Sequence, residues 1–86
     1  MNNFNVGDFV SLSGWSGVIA DILKSESDTV YRIRFVKNII KGQADEWHSA
    51  QVLASLQTAS AETLSNEFNR MIVDRAAKFA EMLKPF

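Results

Sequence analysis

NVGDFVSLSGWSGVIADIL, residues 5–23, decides how the rest of the chain is read. Apolar and polar residues alternate through Phe9, Val10, Ser11 and Leu12, break at Ser13-Gly14, and resume as a second apolar run over residues 18–23. Side chains alternate across a strand, so Val10 and Leu12 point to one face while Phe9 and Ser11 point to the other. The stretch predicts a strand, a tight glycine turn and a second strand. Residues 13–17, SGWSG, read as the loop between them. Within that loop, Trp15 reads first as a ring folded over the end of the core, because so large a side chain buries much area. Its second reading is an exposed contact residue, since interfaces are enriched in tryptophan.

Further along, residues 29–36, TVYRIRFV, give the clearest strand pattern in the chain. Tyr31, Ile33 and Phe35 share one face and are predicted core, while Arg32 and Arg34 share the other and are predicted solvated. Residues 37–44, KNIIKGQA, read as a loop or hairpin in which Ile39 and Ile40 are unexpected. They continue the strand, cap the core or form an exposed apolar patch, and the first two readings together are favoured. Residues 45–48 supply a fourth strand with Glu46 and His48 on one face and Trp47 on the other. Residues 50–53 read as a short helical turn or closing strand, and residues 54–60 as a linker. Five short strands with tight turns fit a small closed barrel. Phe4 is a candidate for pinning the N-terminal lead-in to it.

After the linker, Ser60 is a candidate helix N-cap, followed by Glu62 in the first turn. Residues 61 to about 84 contain no glycine or proline, and Pro85 stops the run. Leu64, Phe68, Met71, Ile72, Phe79 and Leu83 recur three and four residues apart, the signature of an apolar helical stripe. The expected organisation is mainly β: a five-stranded barrel over residues 1–55, then one long amphipathic helix over 56–86, packed on the barrel or on a second subunit.

The first half resembles the SH3-like small barrels of the KOW, Tudor and related bacterial type. The carriers are Val6-Gly7-Asp8-Phe9-Val10, Gly14, Gly17-Val18-Ile19, Tyr31-Arg32-Ile33-Arg34-Phe35, Glu46-Trp47-His48 and Leu53. The resemblance implies a binding module, but such barrels take peptides, modified side chains, nucleic acids or partner proteins, and fold alone does not choose.

Composition narrows the choice. The chain has 86 residues, a single domain's worth, and 47% of them are hydrophobic, which argues against disorder. It lacks cysteine, so thiolate sites and disulfides are excluded. No signal peptide or membrane-length apolar run is visible, and a cytoplasmic protein is expected. Residues 1–55 carry five basic and six acidic side chains, and residues 56–86 four of each, so neither part has the basic excess of a phosphate-driven binder. His48 is the sole histidine. With Glu46 it offers two metal ligands on one strand, fewer than a zinc site uses. No enzyme, cofactor or metal is expected. The predicted function is a protein-interaction module whose candidate partner-binding residues are Trp15, Trp47, Arg32, Arg34, Ile39 and Ile40, with a homodimer through the helix as one form of partnership. The alternative is a nucleic-acid-binding accessory domain using Arg32, Arg34, Lys24 and Lys37 with an exposed aromatic. A cationic-ligand cage of Trp15, Tyr31 and Trp47 ranks last, because Tyr31 is predicted core.

Overall fold

The computed structural model describes residues 4–49 and 55–83. Strand β1 (Phe9–Leu12) and strand β2 (Trp15–Lys24) form a hairpin, with Leu12 opposite Trp15. Only Ser13 and Gly14 lie in the turn, at φ 53° and 83°. Positive φ at both central residues defines the turn whose twist matches that of the paired strands, and glycine adopts it without steric cost. The predicted five-residue loop is therefore two residues long, and Trp15 opens β2 instead of lying in a loop.

Strand β3 (Thr29–Phe35) pairs with β2 along its length. A bulge between Ile19 and Asp21 leaves Ala20 out of the pairing. It resets the alternation, so Ile19 is buried and Ile22, three residues on, also packs against the core. Gly17 sits opposite Phe35, where the backbone of β3 leaves no room for a side chain. A Cβ there would lie 2.5 Å from the Arg34 carbonyl oxygen and 2.9 Å from the Phe35 Cα.

The segment read as a loop or hairpin is a short helix, α1 (Val36–Lys41), so β3 ends one residue earlier than predicted. Its C-terminus is closed by Gly42 at φ 68°. The Gly42 N–H bonds the Ile39 carbonyl at 3.2 Å and the Gln43 N–H bonds the Asn38 carbonyl at 2.7 Å, the paired bonds of a Schellman cap. Ile39 and Ile40 thus lie on a helix and do not prolong the strand. Strand β4 (Glu46–Ser49) returns along β3.

The expected closing element over residues 50–53 falls outside the described residues, as do Pro85 and the resemblance carrier Leu53. The segment read as a linker contributes to the sheet: Leu56 is buried in the core, and strand β5 (Gln57–Thr58) pairs with β1. The result is a five-stranded antiparallel sheet in the order β4-β3-β2-β1-β5, followed by helix α2 (Ala61–Leu83). Phe4, Val10, Leu12, Ile19, Tyr31, Ile33, Phe35 and Leu56 form one core cluster, with Trp15 packed against it. The predicted inward residues of the first and third strands, and Phe4, are all in it.

Gly17→Ala is expected to force β2 and β3 apart, because the obstructing atoms are backbone and cannot swing aside. Overpacking of this kind costs about 1–3 kcal/mol. In a chain this small each kcal/mol lowers the melting temperature by roughly 4–8 °C. A variant that melts with the wild type would show that the close approach is not required.

Candidate functional site

Ser60 caps α2 as predicted: its Oγ accepts the Thr63 N–H at 3.1 Å. What the helix does next departs from its amphipathic pattern. It docks on the body through polar side chains. Glu67, only 6% exposed, accepts the Ser16 backbone N–H on both carboxylate oxygens, at 3.0 and 3.2 Å. Arg75 donates to the Ile40 carbonyl of α1. Ile40 and Lys41 of α1 face Met71, Asp74, Arg75 and Lys78 across a shallow groove.

Successive helical residues are about 100° apart around the axis. Phe68, Ile72, Phe79 and Leu83 therefore fall within about 60° of one another, and their centre lies roughly 130° round from Glu67. Leu64 and Met71, on the near flank, are half-buried. The stripe itself faces solvent: Phe79 is 60%, Leu83 68% and neighbouring Met82 81% exposed, with Phe68 and Ile72 also open. The expected packing of this stripe on the sheet does not occur within one chain.

A second surface lies on the outer face of β3 and β4. Arg32 is directly opposite Trp47, so the two share that face, with the guanidinium 5.7 Å from the ring centroid. Arg34 donates to both oxygens of Asp45, at 3.0 and 3.1 Å, and these bonds raise its pKa further. The Arg32 Nε stands 3.4 Å from the same carboxylate, buried but without a hydrogen bond. The predicted basic stripe is thus shared by one acidic group. Trp47 is 48% exposed beside it.

Trp15 belongs to neither surface. It is half-buried against the core, with the Lys37 ammonium 5.0 Å from its ring centroid. Lys37 also stands 5.4 Å from the Phe35 ring and 3.5 Å from Glu46. Glu46 and His48 share a face, as the alternation predicts, and approach to 3.3 Å. Buried Asn38 donates to Glu46 at 2.8 Å. The bond from Asn38, aided by Lys37 and His48 and opposed by burial, holds the Glu46 carboxyl below its usual range. The cluster ties α1 to β4. Among the described residues, no three His, Cys, Asp or Glu side chains converge as a metal site would require.

The six candidate partner-binding residues are consequently dispersed. Arg32, Arg34 and Trp47 lie together on the outer sheet face, Trp15 packs on the core, Ile40 borders the α1–α2 groove, and Ile39 is exposed on α1. The exposed helical stripe lay outside that set. Its period was legible, but its outward orientation depends on Glu67 meeting an amide 51 residues away in sequence.

Glu67→Ala removes the acceptor of a buried amide, a loss of about 1–3 kcal/mol. Amides of α2 should exchange hydrogen faster in that variant while those of β2 and β3 keep their protection; unchanged α2 exchange would show that the clasp does not hold the helix. Glu46 makes a pH-dependent contribution. Its folded-state pKa lies below the ordinary 4.5, so the stabilisation is complete above that value and is lost as pH falls through the folded one. Denaturant titrations below pH 4.5 should show a shallower loss of stability for Glu46→Gln than for wild type. Comparison of the chain with protein-family models, with curated proteins and with solved structures finds no match.

Proposed function

We propose that this chain is a small non-enzymatic protein-interaction module, an adaptor or accessory domain, and that α2 presents its binding surface. One observation carries this: the helix is held to the sheet by its polar side and turns its large apolar side chains to solvent. Contiguous apolar surface of this kind marks interaction sites on soluble proteins, because leaving it in water is unfavourable. We read the sheet as an SH3-like small barrel of the KOW or Tudor type. The consecutive antiparallel order of β1 to β4, with β5 returning to pair with β1, supports that reading.

The alternative, nucleic-acid binding through Arg32 and Arg34 beside Trp47, has weaker support. Asp45 sits on both guanidinium groups, and a phosphate would have to compete with it. Trp47 and exposed Ile39 are secondary contact candidates for a protein partner.

Partner capture from host extract separates the two. An Ile72→Glu/Phe79→Glu variant should lose the partner by about 30-fold or more in affinity, as loss of an apolar anchor does. Arg32→Ala/Arg34→Ala and nuclease treatment should leave capture intact. Burial of apolar surface is unscreened, so raising salt should have little effect. Submicromolar, salt-sensitive nucleic-acid binding that the double arginine change abolishes would overturn the assignment.

A further inference from the structure

We propose that the occupant of the α2 stripe is a second copy of this chain, bound as an antiparallel helix pair. This rests on reading the stripe as a protein-binding surface, and it goes further by naming what binds.

The first support is the spacing. Phe68, Ile72, Phe79 and Leu83 are separated by four, seven and four residues, an order that is the same in either direction. A two-fold axis perpendicular to the helix demands that kind of pattern, because every contact must recur with the partners exchanged. Antiparallel pairing about the midpoint sets Phe68 against the partner's Leu83 and Ile72 against the partner's Phe79. Each pair places an aromatic ring on a branched aliphatic side chain. The axis passes between Arg75, which is turned to the Ile40 carbonyl of its own α1, and Ala76, whose small side chain lets the two backbones come close on its side.

The second support is area. Phe68, Ile72, Phe79, Met82 and Leu83 together expose on the order of 500 Å² of apolar surface per copy. A pair would bury on the order of 1,000 Å² from these side chains alone, the lower bound for a specific interface, and flanking atoms add to it. An interface of that size fits a reversible dimer.

The third is the environment of the stripe. It contains no charged residue, and the flank turned away from the body carries Asn69, Val73, Ala76 and Ala80. The body is clasped on the side of Glu67, about 130° from the stripe's centre, while Arg75, drawn to the Ile40 carbonyl of α1, borders the stripe about 50° from that centre, so a second helix would approach from the side away from α1.

The chain lacks cysteine, so single cysteines report the geometry cleanly. Wild-type protein should sediment with a mass rising from 9.6 kDa towards twice that value as concentration increases. Ile72→Glu/Phe79→Glu should stay monomeric and fold, with amides of β2 and β3 as protected as in wild type and helical circular dichroism reduced by no more than the last turns of α2. Oxidised Ala76→Cys should cross-link into dimers. Phe68→Cys should not, because antiparallel pairing puts the two sulfurs about 22 Å apart, far beyond disulfide reach. Monomeric wild type up to high micromolar concentration, or Phe68→Cys cross-linking as readily as Ala76→Cys, overturns the proposal. In the monomeric case, capture of a different protein that depends on the stripe leaves the interaction-module reading standing. Capture indifferent to Ile72→Glu/Phe79→Glu removes both.

Discussion

The buried contact that sets the rotation of α2 is made to a single backbone amide, that of Ser16. The Ile19 amide and carbonyl bond the chain at residues 7 and 8, on the β1 side of β2. By alternation, Ser16 points its N–H to the β3 side. The last rung there is Gly17 opposite Phe35, and β3 then turns away into α1. Ser16 therefore presents a buried donor one residue past the end of its partner strand. A buried N–H without an acceptor is costly, and Glu67 supplies two oxygens to it. A carboxylate is also expensive to bury, and doing so is tolerable only where its lone pairs are met. These two demands satisfy each other, and the match fixes which side of α2 faces inward. Once Glu67 is inward, helical geometry sends Phe68 and its companions outward.

The same end of the sheet explains why the body does not need that stripe. Phe4 and Leu56, from opposite ends of the sheet's sequence, both reach the core, and the β2 bulge brings in Ile22 beside Ile19. Among the described residues, the core cluster is supplied by the sheet, Phe4 and Leu56. On the outer face, Arg32 and Arg34 lie two residues apart on one strand, and their mutual repulsion is relieved by Asp45 from the loop before β4. That carboxylate lowers the positive potential of the face that a nucleic-acid ligand would use.

Strand positions and inward residues were legible in the sequence because burial on one face writes a period of two into it. Tyr31, Ile33 and Phe35 show this, and so do Val10 and Leu12. The short α1 was not legible. Six residues make too few turns to establish a period, and Ile39-Ile40 resembles a strand as much as a helix. Gly42 was the usable signal, since glycine commonly closes a helix. The contribution of residues 56–58 was hidden by length: a two-residue strand has no alternation to detect. At the candidate site, the helical stripe was visible but its direction was not. Amphipathicity says that one face is to be buried and does not say by what. Neither Glu67 nor Asp45 carries a local mark, since each acts on a partner brought near only by the fold.

Length joins the helix to its proposed partner. A helix of 23 residues extends about 34 Å, whereas the molecule is only 22 and 18 Å across its shorter axes and 59 Å along its longest. The groove contacts with α1 reach Lys78, and Phe79, Met82 and Leu83 expose most of their surface beyond it. Isolated helical turns are marginal in water, and most helical stability in proteins comes from tertiary packing. Ser60, Glu67 and Arg75 give that support to α2 as far as residue 75, about two thirds of its length. In an antiparallel pair, each C-terminal half would lie against the partner's anchored N-terminal half. The stripe would then lose its exposure, and the weakly supported turns would gain packing, in a single step. Pairing and order at the end of α2 are therefore thermodynamically linked: whatever frays that end weakens the pair, and whatever separates the pair frays that end.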